Sequence, residues 1–170
     1  MSAEEVSAIV EAMAVAWNDR DLDAYLLYLT DDVVWNDPAM AQPARGREEV
    51  RSFSESVLRA FPDFRYTIRA PICVAGDGTR CAVPWKIDGT HSAPLEPPGY
   101  GPTGRKAVFE GVDLLEFHGG QVCRIDTYFD VLVPAEQLLA LRLRPEPGGW
   151  CERSAVSAQR LRAAWLRRFR

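Results

Sequence analysis

Apolar residues near the start of the chain recur at Val6, Ile9, Val10, Met13, Ala14 and Trp17, and steps of three and four place them on one face of a helix. Ser2 followed three residues later by Glu5 supplies a capping box, so a first helix is expected over about residues 3–18. Asp21 can cap a second helix carrying Leu22, Tyr25, Leu26 and Leu29, which is expected to stop near Thr30-Asp31-Asp32. The period then shortens to two: residues 33–36 read as a short strand, and Pro38 ends it by removing a ladder donor. After the glycine of RGREEV, Val50, Phe53, Val57, Leu58 and Phe61 mark a third helix that Pro62 terminates.

From there strands are expected. Residues 64–74 read as one, AGDGT as a turn, residues 81–90 as its hairpin partner, residues 106–117 as a third long strand and residues 122–131 as a fourth, with HGG between the last two. The stretch SAPLEPPGYGPTG between the second and third is too rich in proline and glycine to be regular. Leu138, Leu139, Leu141 and Leu143 suggest a short helix after Pro134, PEPGG a linker, and residues 154–169 an arginine-rich helix with Leu161, Trp165 and Phe169 on one stripe. Helices first and antiparallel strands afterwards predict an α+β domain: a curved, mostly antiparallel sheet with the N-terminal helices on its concave face, a cone around an apolar cavity. The expected division is a cone domain over residues 1–144, then a linker and basic helical tail over residues 145–170.

Composition narrows the function classes. No apolar run approaches the roughly 18 residues that a membrane span needs, and MSAEEVSAIV is acidic where a signal peptide would be basic, so a cytoplasmic protein is expected. From Arg142 onward eight arginines face two glutamates, a balance of +6 within a net charge of −4, which leaves −10 for residues 1–141. An acidic body argues against nucleic acid as a partner, because phosphate binding relies on cationic neutralisation. The basic tail fits three roles, namely covering a partner subunit, lying on its own acidic body, or meeting an anionic membrane. Packing against protein, in a homodimer and without membrane, is the expectation. Cys73, Cys81, Cys123 and Cys151 include no CxxC pair and His91 and His118 are far apart, so no metal site is expected. Cys73 and Cys81, symmetric about Asp77, could face each other across a hairpin, but reduced thiols are expected in the cytoplasm.

The order of DDVVWNDP, RGREEV, GTH, GPTGR and GGQV…YFD resembles the nuclear-transport-factor-like superfamily, and within it the SnoaL-like polyketide cyclase branch, over roughly residues 5–141. Limonene epoxide hydrolase and ketosteroid isomerase are cousins. In the isomerases an acid-proline step supplies the general base, and Asp37 falls on that step; Met13 stands near their helix-one tyrosine. In the epoxide hydrolases an Arg-x-Asp step lies on the second long strand, where this chain has Lys86-Ile87-Asp88. The acid that these relatives and the cyclases place before Tyr-Phe-Asp falls on Thr127, and the histidine that the cyclases carry on the third long strand falls on Asp113.

Alternation predicts which side chains face the cavity. Thr127 shares a side with Cys123, Ile125 and Phe129, away from Asp126; Lys86 shares one with Asp88, and Asp37 with Val33 and Trp35. The resulting expectation is that Asp37, Asp88 and Lys86 converge as catalytic groups, Asp37 as base and Asp88, held by Lys86, as acid. Trp17, Trp35, Phe53, Phe109 and Phe129 would wall the cavity, joined by His91, Asp113 and Thr127 as substrate-binding residues. Each has a plainer reading. Asp37 could close an Asx-turn before Pro38, Lys86 and Asp88 could be a surface cross-strand pair, and His91 a solvated turn residue. Glu110, with opposite parity to Asp113, ranks lower. The expected function is a cofactor-independent cyclase acting on a hydrophobic polyketide-like substrate by general acid and base catalysis. The alternatives are epoxide opening, by hydrolysis or intramolecular attack, and a non-catalytic small-molecule binder.

Overall fold

The computed structural model describes residues 1–69, 71–96, 99–139, 144 and 147–168. Helix α1 (Ala3–Asn18) begins with the predicted capping box: Ser2 Oγ accepts the Glu5 N–H at 3.1 Å and a Glu5 carboxylate oxygen accepts the Ser2 N–H at 2.8 Å. Asp21 accepts the Ala24 N–H at 2.9 Å and opens α2 (Leu22–Leu27). At the corner between them Arg20 takes a left-handed φ of 63°, and its guanidinium donates to the carbonyls of Leu58 and Pro62. That contact locks the corner to the end of α3 (Gly46–Ala60).

Strand β1 (Leu29–Asn36) starts four residues earlier than the alternation suggests, at the end of a shorter α2. The reason is tertiary. Leu29 pairs in parallel with Val122 of β7 (Gln121–Phe129), and the Val122 N–H donates to the Tyr28 carbonyl at 2.8 Å, so the ladder claims residues that local spacing assigns to a helix. The expected strand over residues 64–74 is two pieces, β3 (Arg65–Ile68) and β4 (Cys73–Val74), with Pro71, which lacks a ladder donor, between them. With β2 (Ala44–Arg45), β5 (Arg80–Thr90) and β6 (Lys106–His118) they form one sheet in the order β2-β1-β7-β6-β5-β3, with β4 also on β5; β1 and β7 run parallel and the other pairs antiparallel. The HGG turn is a two-residue hairpin whose Gly119 and Gly120 both have positive φ, 58° and 85°. A bulge at Glu116/Phe117 bends the adjoining strands.

Cys73 pairs in register with Ala82, and Cys81 with Val74, so the two thiols are not opposite one another and all four cysteines are free. The concave face of the sheet packs against α1, α2 and α3, which bury Val6, Val10, Trp17, Tyr25, Leu26, Val50 and Leu58 over Val33, Val83, Leu115 and Ile125. Helix α4 (Leu132–Leu139) closes one end. Its Gln137 side chain donates to the Val108 carbonyl at 3.0 Å and accepts the Val108 N–H at 2.6 Å, replacing the strand partner that β6 lacks beyond Phe129.

Helix α5 (Trp150–Arg168) leaves Trp150 and Leu161 73% and 74% exposed, so the acidic body of the same chain does not cover them as the tail's charge suggests. Leu141, Leu143, Phe169 and the first two residues of PEPGG lie outside the described residues. Among the described residues no helix is long and apolar enough to cross a membrane.

Candidate active site

The inward parity of four strands meets the helical faces around a cavity of about 160 Å³. β5 contributes Val83, Trp85 and Ile87, β6 Phe109, Asp113 and Leu115, β7 Ile125, Thr127 and Phe129, and β1 Trp35 with Asp37 just past its end; α1 adds Val10, Met13 and Trp17 and α3 adds Phe53. Edge-to-face contacts set the wall: Trp17–Trp35 at 5.9 Å, Trp35–Phe53 at 5.1 Å and Trp85–Phe109 at 5.8 Å between ring centroids.

Two carboxyl groups interrupt this apolar lining. Asp113 accepts the Thr127 hydroxyl on one oxygen at 2.7 Å and the Tyr66 hydroxyl on the other at 3.0 Å. Thr127 in turn accepts the Trp35 indole N–H at 2.9 Å; because an indole can only donate, the Thr127 proton is committed to Asp113. The surface that Asp113 retains is cavity wall, and burial pushes its pKa up, opposed by the Thr127 hydroxyl, the nearby Trp85 indole and the Tyr66 hydroxyl. The Trp85 indole is near enough to favour the carboxylate yet outside hydrogen-bond geometry, and its N–H has no partner among the described residues. The buried Trp17 indole N–H, also on the cavity, is likewise unpartnered.

Asp37 sits at the mouth, bordering both the cavity and a surface groove with Pro38 and Gln42. One of its oxygens accepts the Ala39 N–H at 2.7 Å, which is the Asx-turn before Pro38. Its pKa is nevertheless pushed up to about 6, mainly by burial, lowered in part by the Ala39 N–H and raised again by the charge of Asp113. The turn and the cavity position coexist: one oxygen is held while the group remains on the wall.

Asp37, Asp113, Thr127, Trp17, Trp35, Phe53, Phe109 and Phe129 therefore meet around one hollow. Lys86 and Asp88 do not join them. They share a face, as alternation requires, but it is the outer one, because Trp85 and Ile87 point inward; Asp88 pairs with Lys106 at 2.7 Å instead. Glu110 is on the outer face too, 3.7 Å from Arg69. His91 is neither solvated nor in this cavity: it is 1% exposed, stacked on Phe61 at 5.3 Å, beside a second hollow. Asp126, as its parity predicts, faces away, bound by Arg124 at 2.7 Å.

Sequence reasoning passed over Tyr66 and Trp85. Both follow the alternation of their strands, and a tyrosine on the inward parity of an amphipathic strand is the signal that could have found the first. Tyr66 is further fixed by Asn18, the last residue of α1, whose side chain donates to the Tyr66 carbonyl at 2.8 Å and accepts its N–H at 2.9 Å. Asn18 thereby acts as a strand partner for the edge of the sheet.

Comparison with known proteins agrees with this architecture. Solved structures similar to the chain include AclR of Streptomyces galilaeus, described as a candidate hydroxylase, at 24% identity and a TM-score of 0.69, covering 83% of this chain and all of that one. A candidate polyketide cyclase from Pseudomonas putida is 22% identical with a TM-score of 0.69, over 78% of this chain and 97% of that one. IdmH of Streptomyces antibioticus, also described as a candidate polyketide cyclase, is 24% identical with a TM-score of 0.64, over 80% and 99% of the two chains. At these identities the likeness fixes the fold. No functionally curated protein matches the chain. The SnoaL-like domain model matches residues 10–125, from within the first helix to the middle of the last strand, and by that span the chain belongs to the SnoaL-like family.

Proposed function

We propose that the protein is a cofactor-independent cyclase that closes a ring on a hydrophobic, polyketide-like substrate, with Asp37 as proton acceptor and Asp113 as proton donor. The observation that carries this reading is the pair of carboxyl groups on one small aromatic-walled cavity, both with raised pKa. Several structural neighbours, among them IdmH, are described as candidate polyketide cyclases, which supports the substrate class.

Asp37, with a pKa near 6, is ionised at neutral pH yet remains a stronger base than an exposed aspartate. It takes a proton from the carbon beside a substrate carbonyl, and the electron pair forms an enolate. That carbon then bonds to a second carbonyl carbon of the same molecule. Asp113, which burial makes a weaker acid than an exposed aspartate, enters in its protonated form and gives its proton to the oxygen that becomes an alkoxide. Both Asp113 oxygens already accept donors from the protein, so an acid proton on that group is left facing the cavity. The Trp17 N–H supplies a donor for the enolate oxygen. Solvent returns the proton from Asp37 to Asp113, and the product is an isomer of the substrate.

The test is exchange of the α-protons of an aryl β-ketoester into deuterated water, followed by proton NMR. The wild type accelerates exchange; Asp37→Asn lowers the rate by about 10²–10⁴-fold, while retaining binding. Equal exchange by wild type and Asp37→Asn overturns the assignment. The epoxide-opening alternative draws on Lys86-Ile87-Asp88 and on Tyr128-Phe129-Asp130 and is weakened by Thr127; Lys86 and Asp88 lie on the outer face, and Asp130 pairs with Arg144.

A further inference from the structure

Next to the cavity lies a second hollow of about 300 Å³, roofed by Pro134, Ala135, Leu138 and Leu139 of α4. The two hollows share Ala39, Phe64, Ile87, Phe109 and Phe129 as a common wall. The second one is almost wholly apolar. Its polar members are Tyr100, half exposed at the rim, and His91, buried at the back.

His91 is placed there by the inward parity of β5, which continues from Trp85 through Ile87 and Gly89. Gly89 matters because a Cβ there would come within 3.3 Å of Phe61 Cβ, and Phe61 stacks on the imidazole at an interplanar angle of 25°. The backbone is fixed on both sides: the His91 N–H donates to the Arg105 carbonyl at 3.0 Å, and the Asp63 carboxylate accepts both the N–H and the hydroxyl of Thr90. The imidazole itself is different. Both ring nitrogens are buried and neither has a hydrogen-bond partner among the described residues. An imidazole always offers at least one N–H, and a buried donor left unsatisfied costs about 1–3 kcal/mol. A rigidly held, unsatisfied polar ring on an apolar hollow is the arrangement expected of a ligand contact.

We propose that His91 anchors an oxygen function, a hydroxyl or carbonyl, on the distal end of an aromatic ligand lodged in this second hollow. A hollow of about 150 Å³ accepts benzene, so the inner cavity holds about one ring and the second about two. This deepens the proposed function and rests on it for direction: the reacting end lies between Asp37 and Asp113, and the anchored end against His91. The second hollow would then select length and oxygenation at a position remote from the bond being formed.

The test uses 2-naphthol, with naphthalene as its matched control, because two rings fit the second hollow without entering the first. The chain has two histidines, and the exposed His118 serves as internal reference in ¹⁵N NMR of the wild-type protein. The His91 ring nitrogens shift on titration with 2-naphthol, do not respond in the same way to naphthalene, and His118 is unmoved. His91→Phe, which preserves the stack on Phe61, weakens 2-naphthol binding about tenfold and leaves naphthalene binding unchanged. Unchanged His91 signals under saturating 2-naphthol, or equal binding of it by both proteins, overturns the proposal. The wild-type NMR decides even if the variant fails to fold. In Asp113→Asn the difference between the two probes persists, so failure of the anchor and failure of the carboxyl chemistry are read separately.

Discussion

Asp113 on β6 and Asp37 just past the end of β1 reach the same cavity, and burial, joined by the negative charge of Asp113 whenever that group is ionised, disfavours ionisation of Asp37. Their surroundings are nonetheless unequal. Asp113 receives two side-chain hydroxyls, whereas Asp37 receives a single backbone N–H at the mouth. Two acids in one apolar space with different partners divide into acceptor and donor, and the consequences can be measured.

The contribution of Asp37 to stability should fall as pH rises through the acid range. Asp37 has an ordinary pKa of 3.8 and a folded value of about 6, so between these limits the folded state holds more protons than the unfolded one. Below 3.8 the group is neutral in both states and costs nothing; above 6 the full cost of an ionised carboxylate in the cavity is present. Asp37→Asn removes the cost and raises the free energy of unfolding by up to about 3 kcal/mol at pH 7.5, with almost no gain at pH 3.5. Urea titrations at the two pH values check this, and an equal effect at both contradicts it. Proton abstraction follows the opposite course, rising with pH up to about 6 and then levelling as the base ionises.

Thr127→Val keeps the shape of the side chain but leaves the Trp35 N–H and one Asp113 oxygen without their partner. The expected loss is about 2–4 kcal/mol in chemical denaturation, since each abandoned group costs about 1–3 kcal/mol. Thr127→Ser, which restores the hydroxyl, should recover most of it. If Val and Ser are equivalent, the chain from Trp35 to Asp113 has no energetic weight.

Trp17→Phe separates packing from chemistry. The smaller ring can still meet Tyr25, Trp35 and Phe64, which now surround the indole at centroid distances of 5.2–5.9 Å. Loss of an unpartnered N–H should leave stability within about 1 kcal/mol, while α-proton exchange slows by about 10²-fold or more if that N–H steadies the enolate. An unaltered exchange rate removes Trp17 from the mechanism.

Gly111→Ala should disturb the floor of the cavity. A Cβ at this position would stand 2.4 Å from Cζ2 of Trp85 and 2.5 Å from the Tyr128 carbonyl oxygen. Trp85 is 1% exposed and wedged among Tyr66, Phe109 and Phe129, so the indole cannot step aside cheaply. A loss of about 1–3 kcal/mol in stability and an altered near-ultraviolet tryptophan signal are expected. An unchanged melting temperature would contradict this packing.

Much of the architecture was legible because local signals and tertiary contacts agree. The Ser2-Glu5 box, the Asp21 cap and the turn glycines sit where their own chemistry requires. Parity alone oriented Thr127 and Asp126 correctly on β7. It failed for Lys86 and Asp88 because parity says only which residues share a side, and a neighbour decides which side is inward. Trp85 and Ile87 are that neighbour, and their apolar bulk outweighs an expectation drawn from an acid two residues after a base. The early start of β1 was hidden for a related reason, since the strand that captures Leu29 lies more than ninety positions away. His91, expected on the wall of the main cavity with a solvated turn as its plainer reading, is in neither place, and only the stack on Phe61 reveals why it is buried.

The grip of Asn18 on the Tyr66 main chain makes the first helix a ruler for the donor of Asp113. Each added residue turns an α-helix by about 100° and advances it about 1.5 Å, so one insertion within α1 would swing Asn18 off the sheet edge and release the phenol it steadies. Homologues that lengthen or shorten this helix must therefore support that aromatic hydroxyl by some other contact, or dispense with it.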